Sequence, residues 1–165
     1  MAPPGKIAYI PTFYRIFFLY IDPLINFSSL YLFFFDHATY ISQTIPKSIL
    51  PPSFYLPHPE ITPLENHLIT SLGSYSIAFL ALQISLIHGF KDAPSGLNVK
   101  IWNILNGAIL LTDLGLLVGG YLSDPAGMVN LAGWGSMEWG NYGALGVIAA
   151  IRAAFLLGIG GVGKK

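Results

Sequence analysis

Four stretches of this chain are apolar enough and long enough to cross a bilayer, and each carries polar or ionisable residues at depths that lipid does not tolerate. Residues 15–35, 64–89, 101–122 and 138–160 each reach the roughly 20 residues that a helix needs to cross about 30 Å of hydrocarbon. Arg15, Asp22, Asp113 and Arg152 lie within or at the edge of these spans. A charged side chain there costs roughly 2.5 kcal/mol or more unless it is paired or faces an internal cavity. The pattern predicts an all-α fold: a polytopic membrane protein built as a four-helix transmembrane bundle, with residues 1–165 forming a single membrane-embedded domain.

Composition points the same way. The 165 residues are 53% hydrophobic and 10% charged, against about 25% charged in an ordinary soluble domain. Eight basic residues balance eight acidic ones with no Lys/Arg-rich run, so no electrostatic footprint for nucleic acid is present. Cysteine is absent, which removes disulfides, thiolate metal sites and cysteine nucleophiles.

The first span ends in Asp36-His37-Ala38-Thr39 without a small-residue cleavage site, so it reads as a retained helix and not a signal peptide. Pro23 inside it should kink the helix and free the Leu19 carbonyl. Residues 36–62, with prolines at 46, 51, 52, 57 and 59, read as a long irregular loop. Thr62-Pro63-Leu64-Glu65 is a capping box with proline at the first helical position, which opens the second span. Asn98 is a candidate cap for the third span, Ser123-Asp124-Pro125 stops it, and a glycine-rich tail follows the fourth. With four spans, Lys6, Arg15, Lys91, Lys100, Lys164 and Lys165 fall on one side and Lys47 alone on the other. The positive-inside tendency then makes both termini cytoplasmic, in the endoplasmic reticulum or another endomembrane.

Read at 3.6 residues per turn, polar side chains collect into stripes. They are Arg15, Asp22, Asn26 and Ser29 in the first span; His67, Ser71, Ser74, Ser85 and His88 in the second; Asn103, Asn106 and Asp113 in the third; and Glu138, Asn141 and Arg152 in the fourth. The plainest use of such groups is to hold helices together, at about 0.6 kcal/mol per hydrogen bond. Asp22 and Arg152 lie at matching depths, roughly 10–12 Å below the cytoplasmic ends of their spans at 1.5 Å per residue, and are expected to form a structural ion pair. Asp113, with no basic residue expected at its depth, is the candidate functional acid.

Gly115-x-x-x-Gly119 and the series Ala150, Ala154, Gly158 are small-xxx-small patterns that let helices approach closely, within the bundle or in a homo-oligomer. Trp102, Trp134, Trp139, Tyr121 and Tyr142 fall near span ends, where an interfacial belt is the default reading and the lining of a lipophilic pocket the sharper one. Other signals fail on context. Asn26-Phe27-Ser28 is a glycosylation acceptor buried in a span, and Gly158-x-x-x-x-Gly163-Lys164 lacks the Ser/Thr and helix of a phosphate loop. His37, His58, His67, Glu60 and Glu65 lack a tight ligand spacing, so no metal is expected, and no cofactor. No serine sits in a nucleophile elbow.

Trp102-Asn103, Asp113, the run Met137-Glu138-Trp139-Gly140-Asn141-Tyr142-Gly143, Arg152-x-x-Phe155-Leu156-x-Gly158 and, earlier, Arg15-Ile16-Phe17-Phe18 before Asp22-Pro23 carry a resemblance. The chain resembles a family of small, uncharacterised fungal four-span integral membrane proteins, a domain of unknown function, over most of its length outside the loops. That resemblance implies a fold and a membrane and no activity. Fungal terpene cyclases and sterol isomerases are also small helical membrane proteins, and their likeness here is analogy at fold level.

Two functions are therefore expected side by side. In the first, the polar-lined interior binds a lipophilic small molecule, or the chain scaffolds membrane enzymes, with Asn103, Asn106, Asn141, Trp102 and Trp139 as ligand contacts and membrane lipid as the surrounding partner. In the second, it is an acid-initiated isomerase or cyclase of a terpenoid- or sterol-like substrate. Asp113 would then be the acid, Asn106 and Asn103 its orienting groups, Glu138 a base, and Trp102 or Trp139 the π-face stabilisers of a cation.

Overall fold

Thr62 and Pro63 open the helix Pro63–Gly89 as elementary capping chemistry requires. The Thr62 hydroxyl accepts from the Glu65 amide at 3.2 Å, and Glu65 Oε2 accepts from the Thr62 amide at 2.7 Å. The computed structural model of the protein describes residues 7–56 and 59–164. Lys6, His58 and Lys165, together with the prolines at 3, 4 and 57, lie outside the described residues. Among the described residues the regular elements are helical, and Ile7 and Pro94 form an isolated β-bridge.

Three helices are long and apolar enough to cross a membrane: α1 (Thr12–Phe35), α3 (Pro63–Gly89) and α4 (Leu97–Ser123). Between them lies the short α2 (His37–Thr44), and α4 is followed by the one-and-a-half-turn α5 (Pro125–Val129). A final helix, α6, runs continuously over residues 136–156. Helix α6, which carries Glu138, Asn141 and Arg152, is not one of those three. Only 22–28% of each apolar window in α1, α3 and α4 is buried within the protein. The remainder, including Tyr20, Leu24, Phe27, Leu68, Ile104 and Leu111, faces outward, as lipid contact demands and water would not favour.

Pro23 does not break α1. Residues Phe17–Ile21 widen into a π-helical turn, and the Asp22 amide bonds back to the Phe17 carbonyl. The widened turn absorbs the missing proline donor and places Asp22 and Pro23 on the buried side. A second π-helical turn, Trp139–Gly143, occurs in α6.

The stretch after α1 departs from the expected irregular loop. Asp36 accepts from the Thr39 amide at 3.1 Å and so caps α2, a local signal that the prolines further on obscured. Ile41 of α2 packs with Phe33 and Ile69, and Leu50, Phe54 and Ile61 close over them. Asn98 is not the cap of α4 either. Gly96, at φ +77°, holds that position, while Asn98 is wholly buried and donates to the Ala8 carbonyl at 2.8 Å.

The opposite end of the bundle holds the larger core, in which Tyr14, Phe18, Trp102 and Phe155 interlock edge to face around Ile87, Leu105 and Ile109. Here the N-terminal strand-like segment, the 90–96 connection and the C-terminal tail meet. Gly163 donates to the Tyr9 carbonyl at 2.8 Å, Tyr9 donates to the Lys164 carbonyl at 3.2 Å, and Arg15 pairs with Asp92 at 2.8 Å. Helix α6 ends at Leu156, short of the expected residue 160, because Gly158 adopts φ +73°. Its amide bonds to Phe155 and the Ile159 amide to Ala154, the paired closing bonds of a Schellman motif.

Candidate functional site

Arg152 stands at the junction between this aromatic core and a cleft. Ridges of α1, α4 and α6 converge there, and the arginine is 1% exposed. Its Nη2 donates to both oxygens of Asp22 at 2.8 and 2.9 Å, its Nε to Asp113 Oδ2 at 2.9 Å and its Nη1 to Asn106 Oδ1 at 3.0 Å. One face of the guanidinium lies over the Phe18 ring, 5.7 Å from its centroid. Gln83 of α3 donates to Asp22 Oδ2, so all four long helices contribute. Only a planar fork with five donors could serve three acceptors from two helices at once.

The expectation that Asp113 lacks a basic partner is corrected by this geometry. Asn106 and Asp113 are two turns apart on α4, roughly 10 Å at 1.5 Å per residue, and Arg152 enters between them. Depth estimated from backbone position alone missed the reach of a long side chain.

Above Arg152 and Asp113 the helices part to form a cleft of about 1240 Å³. Its floor includes Gln83, Asp113 and Arg152, its walls Leu72, Tyr75, Phe79 and Leu116, and its far rim Tyr40 and Tyr142. Burial raises the Tyr40 phenol above its ordinary value, partly offset by the hydrogen bond with Thr44. Gly115 and Gly119 face the cleft and not a neighbouring helix, since nothing lies within 4 Å of a Cβ at either. The small-residue spacing there opens space instead of closing it. Close approach is carried by glycines outside that pattern, Gly73 against Phe33 and Gly120 against Tyr142.

The other expected site residues are distributed as follows. Asn141 lines the cleft. Trp102 is wholly buried in the aromatic core and donates to the Ile87 carbonyl at 3.2 Å, so it serves neither as an interfacial anchor nor as a cleft wall. Asn106 is committed to Arg152 and, through Nδ2, to the Trp102 carbonyl. Asn103 has a buried amide oxygen without a partner and lies outside the cleft lining. Glu138 also lies outside it and accepts from the Gly135 amide at 2.9 Å, as a helix-start carboxylate does. Trp139 is half-exposed and packs edge-on against Trp134.

The stripe assigned to α3 is also corrected. His67, Ser74, Ser85 and His88 are exposed. The buried face is Ile69, Gly73, Leu80, Gln83 and Ile87, a spacing of four, seven, three and four that the apolar residues themselves displayed. Gln83 was overlooked because it is the one polar member of that face.

The chain can now be placed among known families. A family model described as a domain of unknown function, DUF7704, matches residues 7–162. The protein belongs to the DUF7704 family. No curated protein and no solved structure matches the chain, so for this DUF7704 member the reading of function rests on the site. Among the described residues no group of three or more His, Asp or Glu side chains is arranged to hold a metal.

Proposed function

We propose that this DUF7704 protein is a four-span protein of a fungal internal membrane that binds a lipophilic small molecule in the cleft between its helices. The observation that supports this most directly is the cleft itself, with apolar and aromatic walls above a polar floor fixed by Arg152. An apolar pocket with a few convergent polar groups is the usual form of a small-molecule site. The scaffolding of membrane enzymes would use a different surface, the exposed Trp139 face outside the cleft lining. The four-span reading is supported by α6, which at 1.5 Å per residue covers roughly 30 Å. It is supported too by the meeting of both chain ends with the 90–96 connection at the end that carries Arg15, Lys91, Lys100 and Lys164. The positive-inside tendency makes that end cytoplasmic.

Lipids and small molecules that co-purify with the protein in a neutral detergent, identified by mass spectrometry, test the binding reading. Gly119→Leu fills open space on the cleft wall and should release the bound species from a folded protein. An identical co-purifying profile in wild type and variant would refute cleft binding.

The enzyme reading retains one supporting observation: Asp113 borders the cleft. Asp113→Asn removes a transferable proton at constant size, so an acid role demands that the pathway containing this protein stall at an unisomerised or uncyclised intermediate. Unchanged product in a strain with Asp113→Asn as its only copy removes that role.

A further inference from the structure

The ionic cluster at the cleft floor is unbalanced. Two carboxylates, Asp22 and Asp113, meet one guanidinium, and Arg152 is the single cation among the lining residues whose side chains are described. Arg15, the one basic residue of α1, is turned outward to Asp92. Asp22 is fully engaged, accepting two bonds from Arg152 and one from Gln83. Asp113 is not. Its Oδ2 takes the bond from Arg152 Nε, and no hydrogen bond from a described residue reaches its Oδ1. That oxygen is also absent from the sealed, unpartnered polar atoms, which are Asn98 Oδ1 and Asn103 Oδ1. It therefore opens on the cleft that Asp113 borders. With one guanidinium shared by two carboxylates, the cluster carries one negative charge more than its cation balances, and a positive partner at this depth would balance it.

The cleft walls carry a second, independent feature. Phe33, Tyr40, Tyr75, Phe79 and Tyr142 all border the same space. Phe79 stands one turn from Gln83 of the floor, and an aromatic face beside a carboxylate is the chemistry that recognises an ammonium group, because the ring quadrupole and the anion attract the same charge. A carboxylic acid or phosphate would instead meet Asp113 with like charge, and four of the five Arg152 N–H donors are already engaged by Asp22, Asp113 and Asn106.

Resting on the cleft-binding reading, we propose that the ligand is a lipophilic amine: a cationic nitrogen donating to Asp113 Oδ1 on the Phe79 side of the floor, with its apolar chain running out along Leu72 and Leu116, between the more distant aromatic residues, toward lipid. The test compares dodecylamine, dodecanol and dodecanoate, each added to the purified full chain in neutral detergent, with retention read by native mass spectrometry. The amine should be retained about tenfold more tightly than the alcohol, the scale of a charge-assisted hydrogen bond, and dodecanoate least. Asp113→Asn should bring amine and alcohol to near equality, and Gly119→Leu should weaken all three probes. The wild-type comparison stands alone if Asp113→Asn fails to fold. Equal retention of amine and alcohol, both still sensitive to Gly119→Leu, overturns the amine proposal and leaves cleft binding intact. Retention that is indifferent to Gly119→Leu overturns cleft binding and the amine proposal together.

Discussion

Arg152 shows how a single side chain can fix the geometry of a bundle. Removing one partner from a buried ion pair leaves the other charge uncompensated, at a cost of about 3–5 kcal/mol, and Arg152 has two acidic partners and an amide. Arg152→Gln should therefore sharply lower folded yield and thermal stability in detergent. Arg152→Lys should recover little, since an ammonium cannot bridge Asp22, Asp113 and Asn106 at once. A fully folded, wild-type-stable Arg152→Lys would show that the fork is not needed. At the other end of the bundle Asp124 gives a prediction with a pH sign. The Ser48 hydroxyl and then the Gly127 amide hold its carboxyl below the ordinary 3.8. The folded state thus binds its proton less readily than the unfolded one. The stabilisation is complete above 3.8 and is lost as pH falls through the lower folded value. Asp124→Ala should lower the melting temperature at neutral pH, and the gap to wild type should narrow on acidification.

At the scale of elements, glycine positions separate what spacing alone could not. Gly73→Ala would put a Cβ 2.7 Å from Phe33 Cβ, an atom fixed to the α1 backbone, so the two helices must move apart at about 1–3 kcal/mol. Gly115→Ala meets nothing and should leave the melting temperature unchanged or slightly raised, because alanine favours helix. Gly158→Ala forces a left-handed residue at the end of α6, at about 1–2 kcal/mol. Equal melting temperatures for all three variants would contradict the packing described. The same residues show what was legible in the sequence. The Thr62–Glu65 box was, because a cap is a local hydrogen-bond pattern and depends on nothing distant. The α1, α3 and α4 spans were, because apolar length is a sum over neighbours. The role of Gly115 was not, since small-residue spacing says that a helix surface is smooth and not what lies against it. Nor was Asp36 as a cap, because a short helix carries too few turns to show a period. At the site, the polar residues of α1, α4 and α6 were visible as stripes, but the link between Arg152 and Asp113 depends on side-chain reach across helices, which one sequence does not encode locally.

For the whole molecule the decisive question is whether α6 crosses the membrane, because it is not among the three helices that length and apolar composition single out. Arg152 is neutralised inside the protein, so the charge that makes α6 look unfit for lipid never meets lipid. Its outward residues, Ala144, Val147 and Ala150 among them, are exposed and apolar. The pairing of Tyr9 with Gly163 and Lys164 supports the proposed fourth crossing, since an even number of crossings returns the chain to the side from which it started. The absence of cysteine from the sequence makes this directly measurable. Lys91→Cys and Lys164→Cys should react with a membrane-impermeant thiol reagent from one face, and Lys47→Cys only from the other. If α6 instead lay along the far surface, Lys164→Cys would label together with Lys47→Cys, and the even number of spans would have to be abandoned.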